Sequence, residues 1–348
     1  PISSWAAAVN SYVPEDAGIS GFQLFLRTIP YNLYAILTLV MVLYMTITAF
    51  DFGLMKKHEE NAAKGDLFTS GGEEFEQVAQ EEVNPNGKVM DLILPVALLI
   101  ISAIGAMIYT GYLGGATNLI TAFSGCDAET SLIFATMVTI LFMLFLYLPR
   151  KVVTFKGFMD SLAEGFKLMV PAVTILIFAW SLKGVGDALG LADFVGHVVG
   201  DNASASIFIP AVLFIAAVFL SFSTGTSWGT FAILVPIATA LFSGGTDLEM
   251  MIVSVSAVLA GAVCGDHISP ISDTTVMSSA GAQSNHINHV STQMQYALVV
   301  MIVSLIGYLL AGIVQVWWIV LGFGLILLLA VLTVMRMTLG KKPVNREG

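Results

Sequence analysis

Charged residues are scarce in this chain. Lysine, arginine, aspartate and glutamate together make up 11% of its 348 residues, whereas a soluble domain carries about 25%. Hydrophobic residues supply 57% of the sequence, and the mean hydropathy is +0.87. The composition therefore predicts an all-α integral membrane protein with several spans. The net charge of −10 says little about partners, but nucleic acid is not a plausible ligand for a membrane protein of this composition.

Cysteines and enzyme motifs are scarce as well. Cys126 lies in a predicted outer loop and Cys264 in an apolar run, so we do not expect a disulfide between them. The H-E-x-x-H motif of an intramembrane metalloprotease is missing. We therefore expect no enzyme and no cofactor. No basic, cleavable signal peptide is visible, and we expect residues to precede Pro1.

The apolar runs predict the membrane spans, and several runs are shorter than the roughly 20 residues of a full crossing. They lie near residues 31–50, 92–113, 131–148, 166–183, 206–222, 231–243, 250–264, 296–315 and 317–335. Lysine and arginine concentrate in three of the segments between or after these runs: 51–90, 149–165 and the tail. By the positive-inside rule these segments and the C-terminus lie on the cytoplasmic side. We expect the protein in the inner (cytoplasmic) membrane of the cell. Residues 51–90 are predicted as a cytoplasmic acidic loop and 337–348 as a cytoplasmic tail.

One polar stretch interrupts the apolar runs between residues 262 and 283. Pro270 lacks a backbone donor, and Gly265 and Gly281 bracket the stretch, so the pattern predicts a broken helix over 250–283. Its carboxylates and hydroxyls are Asp266, Asp273, Ser269, Ser272, Thr274 and Thr275.

These oxygen groups are candidates for binding an ion and a proton. An aspartate at the centre of a membrane helix costs roughly 2.5 to 3.5 kcal/mol, so such residues are rarely retained for packing alone. Carboxylate, hydroxyl and freed carbonyl oxygens are hard ligands that suit a small cation such as sodium. We predict a Na+ site at Asp266 and Asp273. The alternative is a polar loop at the membrane surface whose aspartates only cap helices.

A second polar interruption lies between two short apolar runs, over residues 206–243. Its tip carries Thr224, Gly225, Thr226 and Ser227. Short apolar arms around a glycine- and hydroxyl-rich tip are typical of a re-entrant helical hairpin, whose helix ends present backbone groups to a substrate. Two ordinary short helices joined by a surface turn remain the alternative.

Three further residue groups are weaker candidates. His267 follows Asp266 directly and is a hydrogen-bond partner that could tune the carboxylate. Lys183 could neutralise charge near the site, although a lysine that snorkels to the interface is an equal alternative. His286 and His289 form an H-x-x-H pattern, which we interpret as a solvated loop rather than a metal site because a third ligand is missing.

Two runs carry a resemblance to a known family. TGTSWGTFAILVPIA (Thr224–Ala238) and GDHISPISDTTVMSSAGAQSNHINHVSTQMQYAL (Gly265–Leu298) resemble the NhaC family of sodium/proton antiporters, and the opening PISSWAA (Pro1–Ala7) resembles a segment from the middle of those proteins. The resemblance covers most of the chain and is strongest over residues 221–298.

The resemblance implies a polytopic helical secondary transporter built from two inverted repeats, each with a hairpin and a broken helix. Residues 1–50 would be the end of the first repeat with one transmembrane helix, and 91–336 the second repeat. The implied activity is exchange of Na+ for H+, with the bilayer and the missing N-terminal repeat of the same chain as partners. The alternative is a coupled carrier of an organic acid, of the malate/lactate type, or of an amino acid. The resemblance leaves open whether the protein forms a homodimer.

Overall fold

The computed structural model of the protein describes residues 5, 9, 19–66, 69, 84–188, 206–242, 247–282 and 284–339. Within these ranges all regular structure is helical, as the sequence predicts. The helices are α1 (Gly21–Thr28), α2 (Leu33–Thr48), α3 (Gly53–Ala62), α4 (Met90–Leu113), α5 (Leu119–Ser124), α6 (Ala128–Tyr147), α7 (Phe155–Ala188), α8 (Ile209–Thr224), α9 (Ser227–Ala240), α10 (Leu248–Ile268), α11 (Asp273–Gly281), α12 (His286–Val314) and α13 (Trp317–Leu339).

Several of these helices are long enough to span a membrane. A helix rises 1.5 Å per residue, so about 20 apolar residues cross the hydrocarbon core. Six described segments meet this requirement: Leu33–Ala62, Met90–Leu113, Ala128–Tyr147, Leu248–Ile268, His286–Val314 and Trp317–Leu339. Helices α8 and α9 are equally apolar but only 16 and 14 residues long.

The chain divides into two compact units. The first comprises Pro1–Leu26 and Ala79–Ile177, and the second comprises Arg27–Val78 and Phe178–Gly348. In the first unit α4 packs against α5 and α6. Asp127 caps the start of α6 by accepting from the backbone N of Thr130 at 3.0 Å. Hydrogen bonds from Thr130 hold the pKa of the Asp127 carboxyl below its usual range.

Helix α10 is the core of the second unit. Every residue from Met250 to Ala262 is buried, because α2, α8, α9 and α12 all pack against it. Two glycines bring α8 into backbone contact. A Cβ on Gly261 would lie 2.4 Å from the Phe214 carbonyl oxygen, and one on Gly265 would lie 2.3 Å from that of Val218. No larger residue fits at either position without moving α8.

The segment 51–90 differs from the predicted acidic loop, because it begins with helix α3. Its residues LMKKHEENA are good helix formers, and the Gln295 side chain accepts from the backbone N of Leu54 at 2.8 Å. Residues 67, 68 and 70–83 of this segment lie outside the described ranges. At the other end, α13 continues to Leu339, so the predicted tail 337–348 starts as helix, and 340–348 are not described.

A buried carboxylate at a helix break beside a helical hairpin

Asp266 lies in the last turn of α10, and only 8% of the residue is exposed. The Thr274 hydroxyl donates to Asp266 Oδ2 across 3.4 Å. The Ser272 and Thr274 hydroxyls are 2.8 Å apart, and the Thr275 hydroxyl lies 3.4 Å from the Asp266 carbonyl oxygen. The structure thus gathers one buried carboxylate and three of the predicted hydroxyls into a cluster of oxygen atoms.

The predicted interruption of the helix is present after Ile268. Ser269 has extended backbone angles, with φ −78° and ψ 127°, as is common for a residue before proline. Pro270 and Ile271 form a turn, and helix starts again at Asp273 with α11. Because Pro270 lacks an N–H, α10 cannot continue through this position undistorted. The break places Ser272 and the first turn of α11 beside the end of α10.

The tip of the α8–α9 hairpin packs against this break. Gly225 has a left-handed φ of +67°, and a Cβ there would lie 2.7 Å from the Ile271 carbonyl oxygen. The Ser269 hydroxyl donates to the Phe222 carbonyl oxygen at 2.8 Å, and the Ser221 hydroxyl donates to that of Ala262 at 2.6 Å. The hairpin therefore meets the break through backbone oxygens and small side chains.

The four predicted tip residues have different surroundings. Thr224 is exposed, and its hydroxyl donates to the Leu220 carbonyl oxygen of its own helix at 2.8 Å. Thr226 caps α9 by accepting from the backbone N of Gly229 at 3.5 Å. Ser227 is buried. Gly225 is in direct contact with the break at the Ile271 carbonyl oxygen.

Asp273 and Lys183 are two further predicted site residues. Asp273 is exposed in the first turn of α11, where a carboxylate interacts favourably with the helix dipole. The two aspartates therefore occupy different environments, one buried and one open. Lys183 lies within α7, but its side chain lies outside the described part of the structure.

His267 has partners that the sequence does not reveal. The Tyr34 hydroxyl lies 3.2 Å from His267 Nδ1, and the two rings meet edge to face with centroids 5.8 Å apart. The Gln293 amide donates to the His267 carbonyl oxygen at 2.9 Å. Tyr34 belongs to α2 and Gln293 to α12. Only the polarity of these two residues within apolar runs marks them in the sequence.

His286 is a structural residue of the break rather than part of a solvated loop. It begins α12, its Nε2 lies 2.7 Å from the Pro270 carbonyl oxygen, and its Nδ1 lies 3.0 Å from the Ser279 hydroxyl. A neutral imidazole with the proton on Nε2 satisfies both bonds. Among the described residues no three His, Cys, Asp or Glu side chains cluster as metal ligands. His286 thus connects α12 to the break and to α11.

These features define a class of protein. The part of the chain that the structure describes has six helices of spanning length, a buried carboxylate at an interrupted helix and a short hairpin packed on the interruption. This combination is typical of helical transport proteins of the membrane. The chain belongs to the Na+/H+ antiporter family, whose family model matches residues 6–313. It is therefore a multi-pass membrane protein of an antiporter family, as the resemblance in its sequence implies.

Three relatives are similar to this chain. It is 34% identical over 330 residues to an uncharacterised protein of Haemophilus influenzae, which covers 90% of this chain and 60% of the relative. It is 28% identical over 164 residues to a malate-2H+/Na+-lactate antiporter of Bacillus subtilis, covering 46% and 34%. It is 31% identical over 154 residues to an uncharacterised Na+/H+ antiporter of Haemophilus influenzae, covering 44% and 32%. No solved structure matches the chain.

The matched region is shorter than the relatives. The chain spans 60% of the length of the first relative and about a third of the other two. The activity, substrates and partners of the whole transporter are therefore proposals about the full-length protein.

Proposed function

We propose that the full-length protein exchanges Na+ for H+ across the cytoplasmic membrane, and that the ion and the proton compete for Asp266 with Asp273 as a second carboxylate. Membership of the Na+/H+ antiporter family supports this proposal. The observation that carries it is the burial of Asp266 among the hydroxyls of Ser272, Thr274 and Thr275. A carboxylate in such a place is costly unless a cation or a proton neutralises it.

The helix break supplies the remaining oxygen ligands of the proposed site. Sodium sheds water on binding and needs several oxygen atoms to replace it. Ser269 and Ser272 stand on the unwound segment, and the carbonyl oxygen of Ile271 lies at the hairpin tip. In this proposal the hairpin is re-entrant, since its arms of 16 and 14 residues are shorter than a crossing. The second inverted repeat would contain both elements.

The proposed topology follows from the distribution of Lys and Arg. By the positive-inside rule, Lys56 and Lys57 on α3 and Arg150 after α6 support a cytoplasmic position for these helix ends and for the C-terminus. The opposite loops between the predicted spans carry no Lys or Arg.

A coupled carrier of an organic acid is the second candidate. It is favoured by the similarity to a malate-2H+/Na+-lactate antiporter. Such a substrate needs an anion site, for which the N-terminus of α9 at Thr226 offers backbone N–H groups. The described side chains near Asp266 mostly present oxygen atoms, which suit a cation better than an organic anion.

The test is exchange by purified full-length protein in proteoliposomes. Wild type should take up Na+ when a pH gradient is imposed, without added malate or lactate. Asp266→Asn keeps the shape of the side chain but removes the charge, and should abolish uptake while the thermal stability stays close to wild type. Asp266→Glu keeps the carboxylate and should retain measurable uptake.

Two results would contradict the proposal. Normal uptake by the Asp266→Asn variant would exclude this carboxylate as the ion site. Uptake of Na+ only when malate or lactate is present on one side would favour the organic-acid carrier instead.

A further inference from the structure

A cavity of about 500 Å³ lies in the second unit beside the proposed site. Its wall includes the α2 residues Tyr34, Thr38, Met41, Met45 and Ala49, whose spacing of three or four residues puts them on one face of that helix. From Tyr34 to Ala49 this face extends about 22 Å at 1.5 Å per residue. The cavity is therefore elongated along α2.

The cavity reaches His267, the neighbour of Asp266. His267 and Tyr34 line it at one end, where the Tyr34 hydroxyl lies 3.2 Å from His267 Nδ1. Gln293, one turn before Tyr296 on α12, also lines the cavity and donates to the His267 carbonyl oxygen at 2.9 Å. His267 follows Asp266 directly in the last turn of α10. Asp266 and its hydroxyl partners are not among the residues that line the cavity, so a cation at this end would still have to pass His267 to reach the proposed ion site.

The other end of the cavity is acidic. Asp51 and Glu59 line it, and both are close enough to Tyr296 to interact with it electrostatically. The Tyr296 hydroxyl donates to Asp51 Oδ1 at 3.2 Å, and its ring lies 4.6 Å from that of Phe52. These contacts hold the segment between α2 and α3 against α12. None of the described residues lining the cavity is Lys or Arg.

We propose that this cavity is the cytoplasmic passage by which hydrated monovalent cations reach Asp266, with Asp51 and Glu59 as its electrostatic mouth. The acidic side chains of the lining, beside low-dielectric walls, concentrate counter-ions and raise their rate of entry, while Lys56 and Lys57, on the same helix as Glu59, do not line the cavity. The apolar middle, formed by Met41, Met45 and Val300, has no fixed charge to retain the ion. This inference rests on the proposed function, since it supplies the route to that site.

Cysteine labelling of the full-length protein tests the passage without measuring transport. In a full-length background that carries Cys126→Ser, Cys264→Ala and the replacement of any further cysteine, a single cysteine replaces Thr46, which lines the cavity. The matched control is Ile47→Cys, one residue further on the same helix, which is 81% exposed but does not line the cavity. Cationic and anionic membrane-impermeant methanethiosulfonates are applied from the cytoplasmic side.

The proposal predicts three results. The cysteine at position 46 reacts and the one at position 47 does not, because water fills the passage while lipid covers the other face. At position 46 the cationic reagent reacts faster than the anionic reagent by about tenfold or more. The variants Asp51→Asn and Glu59→Gln, combined, remove most of that preference while the reactivity itself persists.

Equal reactivity at positions 46 and 47 would overturn the proposed passage. Labelling that occurs only when the reagents are applied from the non-cytoplasmic side would overturn it as well. Reaction without a preference for the cationic reagent would overturn its role for cations. If this labelling pattern holds while Na+ uptake is absent in wild type, the proposed function fails and the cation passage stands.

Discussion

At the scale of single residues, the two aspartates of the polar stretch have unequal surroundings. Asp266 is buried at the end of α10 and accepts from Thr274, whereas Asp273 is exposed at the start of α11. Burial without a partner is costly for a carboxylate, and exposure is not. Asp266 is therefore the residue on which the proposed ion site depends most, and Asp273 is the residue whose role most needs a direct test.

The variant Asp273→Asn provides that test. If both carboxylates bind the ion, removing this charge should abolish Na+/H+ exchange while expression and thermal stability remain close to wild type. The matched control is Asp127→Asn, which alters another exposed aspartate at a helix N-terminus, in the first compact unit. Asparagine caps helices as well as aspartate does, so the control should keep both its stability and its exchange rate.

Normal exchange by the Asp273→Asn variant would restrict the site to Asp266 and the hydroxyls. It would then leave Asp273 the role of a residue that only stabilises the first turn of α11.

The sequence also predicts which single residues lie together when the partners are close in the chain. Ser272, Thr274 and Thr275 follow Asp266 within one break, so their density in a short segment is enough to indicate a shared site. Tyr34 is separated from His267 by 233 positions. The sequence could not predict that contact, because it depends on how α2 packs on α10.

At the scale of elements, small residues set the distance between the hairpin and the interrupted helix. Gly225 and Gly265 both lie against backbone of the neighbouring segment, where a side chain would collide with a carbonyl oxygen. The hydroxyls of Ser221 and Ser269 cross the same interface as hydrogen-bond donors. Close approach of small residues is the usual way in which helices associate in membranes.

The variant Gly225→Ala, compared with a control, should separate the cost of a steric clash at the hairpin tip from the cost of a left-handed backbone. Its matched control is Gly65→Ala, since Gly65 also has a positive φ, of +90°, but a Cβ there meets nothing within 4 Å. A left-handed backbone costs a non-glycine residue about 1 to 2 kcal/mol, so both variants should lose that much stability. Gly225→Ala should lose more, because its Cβ meets the Ile271 oxygen, and exchange should slow.

Thermal melting of both purified variants is the measurement. Equal shifts in melting temperature would show that the hairpin tip is not packed against the break as described.

The elements themselves were largely predictable. Pro270 and Gly265 marked the interruption, and the glycine and hydroxyl residues at 224–227 marked the turn between two short helices, because these residue types limit helix continuation locally. Helix α3 was missed because its sequence is polar and its position depends on Gln295 of α12. The sequence could not predict the cavity either, because its wall combines α2 and α3 with α10 and α12, which are distant from them in sequence.

At the scale of the whole molecule, exchange as proposed requires no separate proton pathway and no nucleotide. Sodium and protons would compete for the same carboxylate, so that binding of one releases the other. The proposed passage along α2 reaches His267, the neighbour of Asp266, and the hairpin packs on the break that follows Ile268. The six helices of spanning length in the described part of the chain and the family membership support a membrane transporter. Competition at Asp266 is the central claim.

Equilibrium binding of Na+ to the purified full-length protein across a range of pH tests this claim most directly. If one proton must leave for one sodium ion to bind, apparent affinity should weaken about tenfold per pH unit on the acidic side, each decade being roughly 1.4 kcal/mol. On the alkaline side it should level off. The Asp266→Asn variant should lose this dependence together with most of the binding. Sodium affinity that is unchanged from acidic to alkaline conditions in wild type would contradict competition at Asp266.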